Sequence, residues 1–365
     1  MNISHKQLLF YHINSYWLYQ LMKKSESDNN WLQPVKSQIF KKTKLVIESD
    51  FREGYELGEL IYHNYQQKEK LALPEESRLL EKVEQYSPGY LIYLNNRLHA
   101  WAVPLSYRNC FDDNQNNTLK SGFDKKLNLY GSTCSHQLYF KILVTLIEKH
   151  FETFDELPVG LIDVGCGDGS MLRALKKALV KYERNLIYIG VDIDFRAVEI
   201  ARSNDKDDIL FLQGDVSDPD GLNKLFIQKG LPALDNFFHV RAFVDHNFSP
   251  QIINKSNAED EYKYILNKQL LDRTNLQYAL LEHYKRWKPY IYQHGIGIIE
   301  LHSLQNPSLT ESPALAYEIF HLLSEQYIDD YCTYMQLTNI AGWQLLNKIL
   351  LPNEAVANVS ISIFK

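Results

Sequence analysis

Cysteine is scarce in this 365-residue chain, and no two cysteines stand close together. Four isolated thiols without a Cys-x-x-Cys pair provide neither the disulfide framework of a small secreted domain nor the ligand spacing of a zinc knuckle. We therefore expect reduced thiols and no structural zinc at the four positions, which are Cys110, Cys134, Cys166 and Cys332.

Long apolar runs and long blocks of basic residues are also missing. No stretch approaches the roughly 18 apolar residues of a membrane span, and residues 1–6 lack the apolar core of a signal peptide. The formal net charge is −6, and no basic block is available to neutralise nucleic-acid phosphates. We expect a cytoplasmic protein that binds neither a membrane nor a nucleic acid.

Length and patterning predict two domains. A chain of 365 residues with 45% hydrophobic residues is long enough for about two domains of ordinary size. Residues 7–22, 55–66 and 75–86 repeat their apolar positions at helical spacing, and the polar, turn-rich segment 109–117 follows them. The prediction is a helical N-terminal domain over residues 1–125 and a second domain over residues 126–365.

The most informative segment is 161–170, in which an apolar strand leads into three alternating glycines, Gly165, Gly167 and Gly169, and then into a helical pattern. Alternating glycines allow backbone angles that a Cβ forbids and let a ligand approach the main chain. The helix N-terminus that follows offers free N–H groups. The spacing Gly-x-Gly-x-Gly differs from the dinucleotide and phosphate-loop motifs, so this turn predicts another polar ligand.

Acidic residues accompany three successive predicted strands. Asp163 stands two residues before the first glycine, where a carboxylate would repel a pyrophosphate but would pair with an amino group, as in S-adenosylmethionine (SAM). Asp192 ends the next strand, the position of a ribose acceptor. Asp215, with Val216, ends the third, where the adenine amino group would be bound. Each acid alone is as consistent with a helix N-cap as with a ligand contact.

A loop ahead of this region is a candidate lid over the cofactor. Residues 129–140 contain small residues around Gly131 and lead into a predicted helix over 141–151. The ring of Tyr139 would then lie against the sulfonium or adenine of SAM, because a cation is attracted to an aromatic face. The simpler interpretation is a turn followed by a surface helix.

Polar residues that favour metal binding or acid–base chemistry gather after the later strands. A predicted strand over 236–243 leads to Asp245 and His246, and one over 295–302 ends at His302. A helix beginning near residue 320 carries His321 and Gln326. Such side chains suit iron or manganese. For any single histidine, however, a hydrogen-bonded structural role is the more common one.

The motifs together resemble one branch of the class I SAM-dependent methyltransferases. They are Tyr-Gly-Ser-x3-His-x2-Tyr-Phe (130–140), Asp-Val-Gly-Cys-Gly-Asp-Gly (163–169), His-Val-Arg-x-Phe-x-Asp-His-Asn (239–247), Glu-Leu-His (300–302) and His-x4-Gln-Tyr (321–327). They are similar to the mononuclear-metal-dependent, apratoxin-type C-methyltransferases of polyketide initiation modules. The resemblance implies an α/β fold, with a Rossmann-like seven-stranded methyltransferase sheet, an antiparallel last strand and a helical N-terminal lid domain.

The resemblance also implies a function. It implies metal-assisted C-methylation of a malonyl-type thioester, with SAM as cofactor, a divalent metal held by His246, His321 and Gln326, and Asp245 and His302 beside it. The substrate would be an acyl group bound to a carrier protein or a free small molecule. O-methylation of a hydroxylated or carboxylated metabolite, with His246 or His302 as general base, is the second hypothesis. A non-catalytic SAM-binding partner protein is the third.

The segment 250–289 has mostly helical spacing, in Tyr264, Leu271, Leu280 and their neighbours. It predicts either an enlarged helix that covers the sheet or part of a cap over the substrate pocket.

Overall fold

The computed structural model describes residues 125–204, 208–247, 263–266, 269–303, 326–351 and 359–365. The predicted N-terminal lid domain and His321 lie outside these residues. By its contacts the chain forms two compact units, Met1–His136 with Asn306–Ser324 and Gln137–Gln305 with Glu325–Lys365. The second unit contains the strands and most of the helices described below, and the domain boundary near residue 125 remains a prediction.

The described residues form six α-helices and nine strands. The helices are α1 (Lys125–Phe151), α2 (Ser170–Ala178), α3 (Phe195–Asn204), α4 (Pro219–Gln228), α5 (Arg273–Ile291) and α6 (Tyr331–Ile340). The strands are β1 (Gly160–Val164), β2 (Ile187–Asp192), β3 (Leu210–Gln213), β4 (Phe237–Ala242), β5 (Lys263–Leu266), β6 (Gln269–Asp272), β7 (Ile296–Leu301), β8 (Leu345–Leu351) and β9 (Val359–Phe364). Short 3₁₀ turns cover Val180–Asn185, Leu234–Asn236 and Asp245–Asn247.

Seven strands form one mixed sheet in the order β3-β2-β1-β4-β7-β9-β8. Strands β1, β2, β3, β4 and β7 are mutually parallel, and β9 runs antiparallel to both of its neighbours. Strands β5 and β6 form a separate hairpin. The predicted Rossmann-like α/β sheet with an antiparallel last strand is therefore confirmed. The strand order reverses between β1 and β4, and ligands of open α/β sheets bind at such a point, beyond the carboxyl ends of the strands.

The central strands are buried on both faces, which explains their continuous apolar sequences. On one face, Phe226 of α4 and Trp287 of α5 belong to a cluster with the sheet residues Ile162 and Ile298. On the other face, residues of α1, α2 and α3 pack with the remaining sheet side chains: Ile147, Leu175, Val198, Leu161 and Ile299. This double layer holds the carboxyl ends of β1, β2, β4 and β7 in fixed relative positions.

Two local predictions are wrong in detail. Helix α1 begins at Lys125, so the expected loop around Gly131 is helical; one glycine costs a helix only about 1 kcal/mol, and no proline interrupts the segment. The helical spacing predicted around Tyr264 and Leu271 is also wrong, because these residues pair with each other across the antiparallel β5–β6 hairpin. The β5–β6 hairpin and β8 were not predicted.

Helical spacing in the segment 250–289 is confirmed for α5, whose buried residues include Leu276, Leu280 and Trp287. None of the helices in the described part of the chain is both long and apolar enough to span a membrane.

Candidate functional site

The turn between β1 and α2, residues 165–169, is the glycine loop predicted from sequence. Gly165, Gly167 and Gly169 have φ angles of +85°, +55° and +79°. These are left-handed backbone conformations that only glycine adopts at little cost. The N–H groups of Gly165 and Cys166 donate to the carbonyl of Val191 at 2.7 and 3.0 Å, which fixes the start of the loop against β2. The loop then delivers the chain to the N-terminus of α2.

Asp192, at the end of β2, is held against this loop. Its Oδ2 accepts from the N–H of Gly167 at 2.9 Å, and its Oδ1 accepts from the N–H of Asp194 at 2.9 Å. These contacts hold the carboxylate at the carboxyl end of β2, the position predicted for a ribose acceptor. Two apolar side chains that the sequence analysis did not select, Ile193 and Phe195, are 59% and 54% exposed beside Asp192.

Asp163 is buried within β1, and its Oδ1 has no hydrogen-bond partner among the described residues. Burial, together with the negative charges of Asp192 and Asp168, raises the pKa of Asp163 to about 8. A buried acceptor surrounded by acids favours a cationic partner over an anionic one. This environment fits the ammonium group of SAM and disfavours a phosphate.

Asp215 and Val216 lie just beyond β3, next to Asp192 in the sheet order. The N–H of Gly214 donates to the carbonyl of Asp192 at 3.0 Å, which joins the two strand ends. Asp215 Oδ1 accepts from the N–H and the Oγ of Ser217 at 2.8 and 2.6 Å. The carbonyl of Val216 accepts from Trp287 Nε1 at 2.9 Å. The loop after β3 is thereby fixed at the same sheet edge as the glycine loop.

The two remaining residues predicted to contact SAM both lie in α1. Gly131 is one of the helical residues of its first half. Tyr139 is half-buried, and its ring lies edge-on to the ring of Phe243 with 5.6 Å between centroids. Burial raises the pKa of the Tyr139 hydroxyl, so this side chain is a neutral aromatic near neutral pH. Phe243 follows β4, so Tyr139 is placed near the carboxyl end of that strand.

The end of β4 turns sharply toward the glycine loop. Phe243 has a φ of +60°, an unusual conformation for a bulky residue, of a kind that clusters at functional sites. Val244, which follows, places a side-chain methyl group where a Cβ on Gly165 would be. The segment carrying Asp245 and His246 therefore begins in direct contact with the predicted cofactor loop.

His246 forms a buried pair with Glu300 of β7. The ring Nδ1 of His246 hydrogen-bonds Glu300 Oε1. The same carboxylate accepts from the N–H of Leu301 at 2.7 Å through Oε1 and from the N–H of Asp245 at 2.8 Å through Oε2. Burial acts to raise the pKa of Glu300, but His246 and the Leu301 N–H outweigh it, and the pKa is lowered. Glu300 is therefore an anion that orients the imidazole.

Asp245, predicted to lie beside the metal, is paired with a buried arginine. Its Oδ1 accepts from Arg241 Nη1 at 2.9 Å, and both side chains are buried. The guanidinium of Arg241 also lies 4.1 Å from the Trp287 ring centroid and contacts His283 Nε2 at 3.2 Å. A buried aspartate paired with a buried arginine holds the structure of the site, because removing either partner would leave an uncompensated charge.

His302 is also occupied structurally. Its Nε2 hydrogen-bonds Ser360 Oγ at 2.7 Å, and its ring packs against the rings of Tyr331 and Tyr334. Burial lowers the pKa of His302 to about 4, so the ring is neutral near neutral pH. His302 lines a cavity of about 20 Å³ together with Asp245, His246, Glu300, Tyr327 and Tyr334. That volume holds about one water molecule.

Gln326 joins this region through Asn247. Gln326 Nε2 donates to Asn247 Oδ1 at 2.8 Å, and Asn247 Nδ2 contacts His246 Nε2 at 2.8 Å. Of the three predicted metal ligands, the structure thus links His246 and Gln326 through one asparagine, and the third, His321, lies outside the described residues. Within the described ranges, no group of three or more His, Cys, Asp or Glu side chains is arranged to hold a metal ion.

The family of the chain follows from its match to a known domain. Residues 120–362 match the model of the AprA MT2-like domain, a methyltransferase family. The chain belongs to this family. The resemblance to apratoxin-type class I SAM-dependent methyltransferases is thereby confirmed, and the AprA MT2-like match covers the whole described sheet apart from the last residues of β9.

Solved structures with the methyltransferase fold are similar over most of the AprA MT2-like chain. The CMeT domain of the citrinin polyketide synthase is 9% identical, with a TM-score of 0.49, over 98% of this chain and 95% of that one. The CurJ carbon methyltransferase is 13% identical, with a TM-score of 0.48, over 98% and 90%. The complex of LepI with SAM is 12% identical, with a TM-score of 0.46, over 94% and 96%. No curated protein matches the sequence.

Glu300 is the main site residue that sequence reasoning missed. Its signal was present, because an acid inside the otherwise apolar run 296–301 has to be paired when the strand is buried. Arg241, inside the apolar run 237–243, carried the same signal.

Proposed function

We propose that this protein transfers the methyl group of SAM to the α-carbon of a malonyl-type thioester, with His246 as the general base. The observation that carries the proposal is the buried His246–Glu300 pair, which stands two residues beyond the contact between Val244 and Gly165. A base oriented by a carboxylate and adjacent to the cofactor loop is what deprotonation beside a methyl donor requires.

The methyl donor would bind along the edge formed by β1, β2 and β3. Asp163 would accept from the ammonium group, Asp192 from the ribose hydroxyls, and Asp215 from the adenine amino group. The exposed apolar side chains of Ile193 and Phe195 support adenine binding, since they offer a surface to the base. SAM supplies its own leaving group, so orientation and charge stabilisation are what the protein adds.

The reaction step follows from the state of His246. With Nδ1–H donating to Glu300, Nε2 is the ring nitrogen that would take the proton from the substrate α-carbon, in exchange for its contact with Asn247 Nδ2. The resulting enolate attacks the methyl carbon, the C–S bond breaks, and S-adenosylhomocysteine leaves. Glu300 stabilises the imidazolium formed, because the anionic carboxylate lies against the ring.

A carbon nucleophile is favoured over a hydroxyl by the family. The same base would serve either acceptor, since both require removal of one proton. Membership of the AprA MT2-like family, which is related to the polyketide C-methyltransferases, supports carbon. O-methylation of a small metabolite remains the alternative for the same site.

A divalent metal is a second candidate feature, and one observation favours it. Gln326 Oε1 is buried and has no hydrogen-bond partner among the described residues. A metal-bound histidine usually donates its other ring N–H to a carboxylate, as His246 does to Glu300. His246, Gln326 and His321 would hold the ion, which would polarise the thioester carbonyl as a Lewis acid. Because Nδ1 of His246 faces Glu300, Nε2 would bind the ion, so this role of His246 is an alternative to its role as the base.

Incubation of the full chain with methyl-labelled SAM and malonyl-N-acetylcysteamine thioester tests the proposal. We expect label on the α-carbon, located by mass spectrometry and NMR of the product. Label on oxygen would establish the O-methyltransferase alternative, and SAM binding without transfer to either acceptor would favour the non-catalytic partner. Elemental analysis and activity in chelator decide the metal: one equivalent of iron or manganese and loss of turnover support it, and full activity without metal rejects it.

A further inference from the structure

Helix α5 holds the loop after β3 through two consecutive backbone carbonyls. Trp287 Nε1 donates to the carbonyl of Val216 at 2.9 Å, and Arg286 Nη1 donates to the carbonyl of Ser217 at 2.9 Å. The two donors are adjacent in α5, and the two carbonyls are adjacent in the loop. The loop that carries Asp215 is therefore fixed by side chains that lie 71 and 69 residues later in the chain.

Ser217 connects the Arg286 contact to Asp215. The N–H and the Oγ of Ser217 both donate to Asp215 Oδ1, at 2.8 and 2.6 Å. The carbonyl of the same residue accepts from Arg286. A shift of the Ser217 backbone would turn the Asp215 carboxylate, because two hydrogen bonds join these residues. One residue thus links the helix to the carboxylate.

Arg286 also holds the residue that follows Ser217. Asp218 is the N-cap residue of α4, a position where an aspartate usually accepts a hydrogen bond from the first turn of the helix. The Asp218 side chain makes no such cap hydrogen bond and accepts from Arg286 Nη2 at 2.7 Å instead. The Arg286 side chain is 36% exposed, and an exposed ion pair adds little to the free energy of unfolding. The main effect of Arg286 is therefore on the conformation of the loop.

Trp287 is anchored in the core behind the loop. Its side chain is fully buried. The indole packs against the ring of His239, with 5.4 Å between centroids, and against the guanidinium of Arg241, 4.1 Å from the indole centroid. A buried indole N–H needs an acceptor, and the Val216 carbonyl is that acceptor. The packing of α5 on β4 thereby determines where Val216 lies.

We propose that Arg286 and Trp287 are positioning residues that make the cofactor site selective for adenine. By fixing the carbonyls of Ser217 and Val216, they hold the Asp215 carboxylate where it accepts from the 6-amino group of the base. A base with an oxygen at carbon 6 would place two acceptors against each other there. The proposal rests on the proposed contact between Asp215 and the adenine amino group.

The binding of two ligands that differ at carbon 6 of the base tests the proposal without turnover. S-adenosylhomocysteine and S-inosylhomocysteine are titrated calorimetrically into the full chain, and the ratio of their dissociation constants gives the selectivity. We expect the wild type to favour S-adenosylhomocysteine by about tenfold to a hundredfold, the effect of one hydrogen bond to a charged group. Because the ratio compares two ligands in one protein, a smaller folded fraction does not change it.

Arg286→Met and Trp287→Phe each remove one donor to the loop. Each should lower the selectivity by about threefold to tenfold, the effect of one ordinary hydrogen bond, and should weaken S-adenosylhomocysteine more than S-inosylhomocysteine. Lys285→Met is the matched control, because Lys285 is an exposed cation of the same helix that pairs with Glu282. It should leave the selectivity unchanged. A purely structural role of Arg286 or Trp287 would weaken both ligands equally.

Asp215→Asn separates failure of the positioning role from failure of the proposed adenine contact. Its amide nitrogen would be a donor facing carbon 6, so the selectivity should be lost. Wild-type selectivity in Arg286→Met or in Trp287→Phe, beside a loss in Asp215→Asn, would overturn the positioning role of that residue and leave the adenine contact standing. A wild type that binds neither ligand or both equally, or wild-type selectivity in Asp215→Asn, would refute the adenine contact and the positioning role together.

Discussion

Val244 and Gly165 are in direct contact, because a side-chain methyl group of Val244 occupies the space where a Cβ on Gly165 would stand. Gly165 begins the glycine loop, and Val244 begins the segment that carries Asp245 and His246. The two halves of the site, one predicted to bind the methyl donor and the other to hold the base, are therefore packed against each other. A disturbance at this contact should affect both.

Gly165→Ala should destabilise the protein and weaken SAM binding by about tenfold or more. The new Cβ would collide with Val244 and would sit at a φ of +85°, where a non-glycine residue costs about 1–3 kcal/mol. Gly230→Ala is the matched control, because Gly230 has a φ of +72° and a Cβ added there would have nothing within 4 Å. Both variants are measured by calorimetric titration with SAM and by thermal unfolding. Gly165→Ala combines the collision with Val244 and backbone strain, whereas Gly230→Ala introduces backbone strain only. Equal effects on SAM affinity would contradict the role of the contact.

Asp192→Ala should weaken SAM binding by about tenfold to a hundredfold. Losing a charge-assisted hydrogen bond costs about 1.5–3 kcal/mol, and this carboxylate also holds the Gly167 N–H. Asp194→Ala removes a neighbouring carboxylate that pairs instead with Arg196, and we expect a much smaller change in affinity. Unchanged binding by Asp192→Ala in calorimetry would exclude it as the ribose acceptor.

Asp163 should make the stability of the ligand-free protein decrease between about pH 4 and pH 8. Its pKa of about 8 lies above the ordinary value of 3.8, so in this range the unfolded chain releases a proton that the folded chain retains. The contribution of Asp163 to the free energy of unfolding is therefore fully present below about pH 4 and is lost as the pH rises toward about 8. Urea unfolding of the wild type and Asp163→Asn across this range should show a growing advantage for the variant.

The same substitution should weaken SAM binding, because an amide cannot offer a full charge to the ammonium group. Titrations in buffers of different ionisation enthalpy should show that SAM binding to the wild type near neutral pH releases a proton, and that binding to Asp163→Asn does not. Parallel stability profiles for the two proteins would show that Asp163 is ionised in the folded state without ligand.

The parallel part of the sheet was predictable because its central strands are buried on both faces and therefore form nearly continuous apolar runs. The predicted strand 236–243 corresponds to Phe237–Ala242, and the predicted strand 295–302 corresponds to Ile296–Leu301. Strand β8 was not predictable in this way, since residues such as Leu346, Asn347 and Lys348 are exposed at the sheet edge and lack an alternating pattern. Its position depends on pairing with β9, and no local pattern in the sequence predicts that pairing.

The sequence alone predicted which types of residue form the candidate site and at which strand ends they lie. The sequence placed Asp245, His246 and His302 at one sheet edge, and the structure brings all three to the same small cavity. Asp245 has one local partner, Arg241, four residues before it. The other partners are far away in the chain: His283 for Asp245, Ser360 for His302 and Glu300 for His246. No spacing rule links a histidine to a glutamate on another strand, so the choice of base required the folded structure.

The role of His246 as the base is tested most directly by the turnover of His246→Gln with methyl-labelled SAM and malonyl-N-acetylcysteamine thioester, measured beside wild type and His302→Gln. A general base contributes about 10²–10⁴-fold to a rate, so kcat of His246→Gln should fall by this amount with the SAM affinity unchanged. His302→Gln, whose wild-type ring is bound to Ser360, should lose much less per folded molecule. A kcat for His246→Gln within a few-fold of wild type would contradict the assignment of His246 as the base.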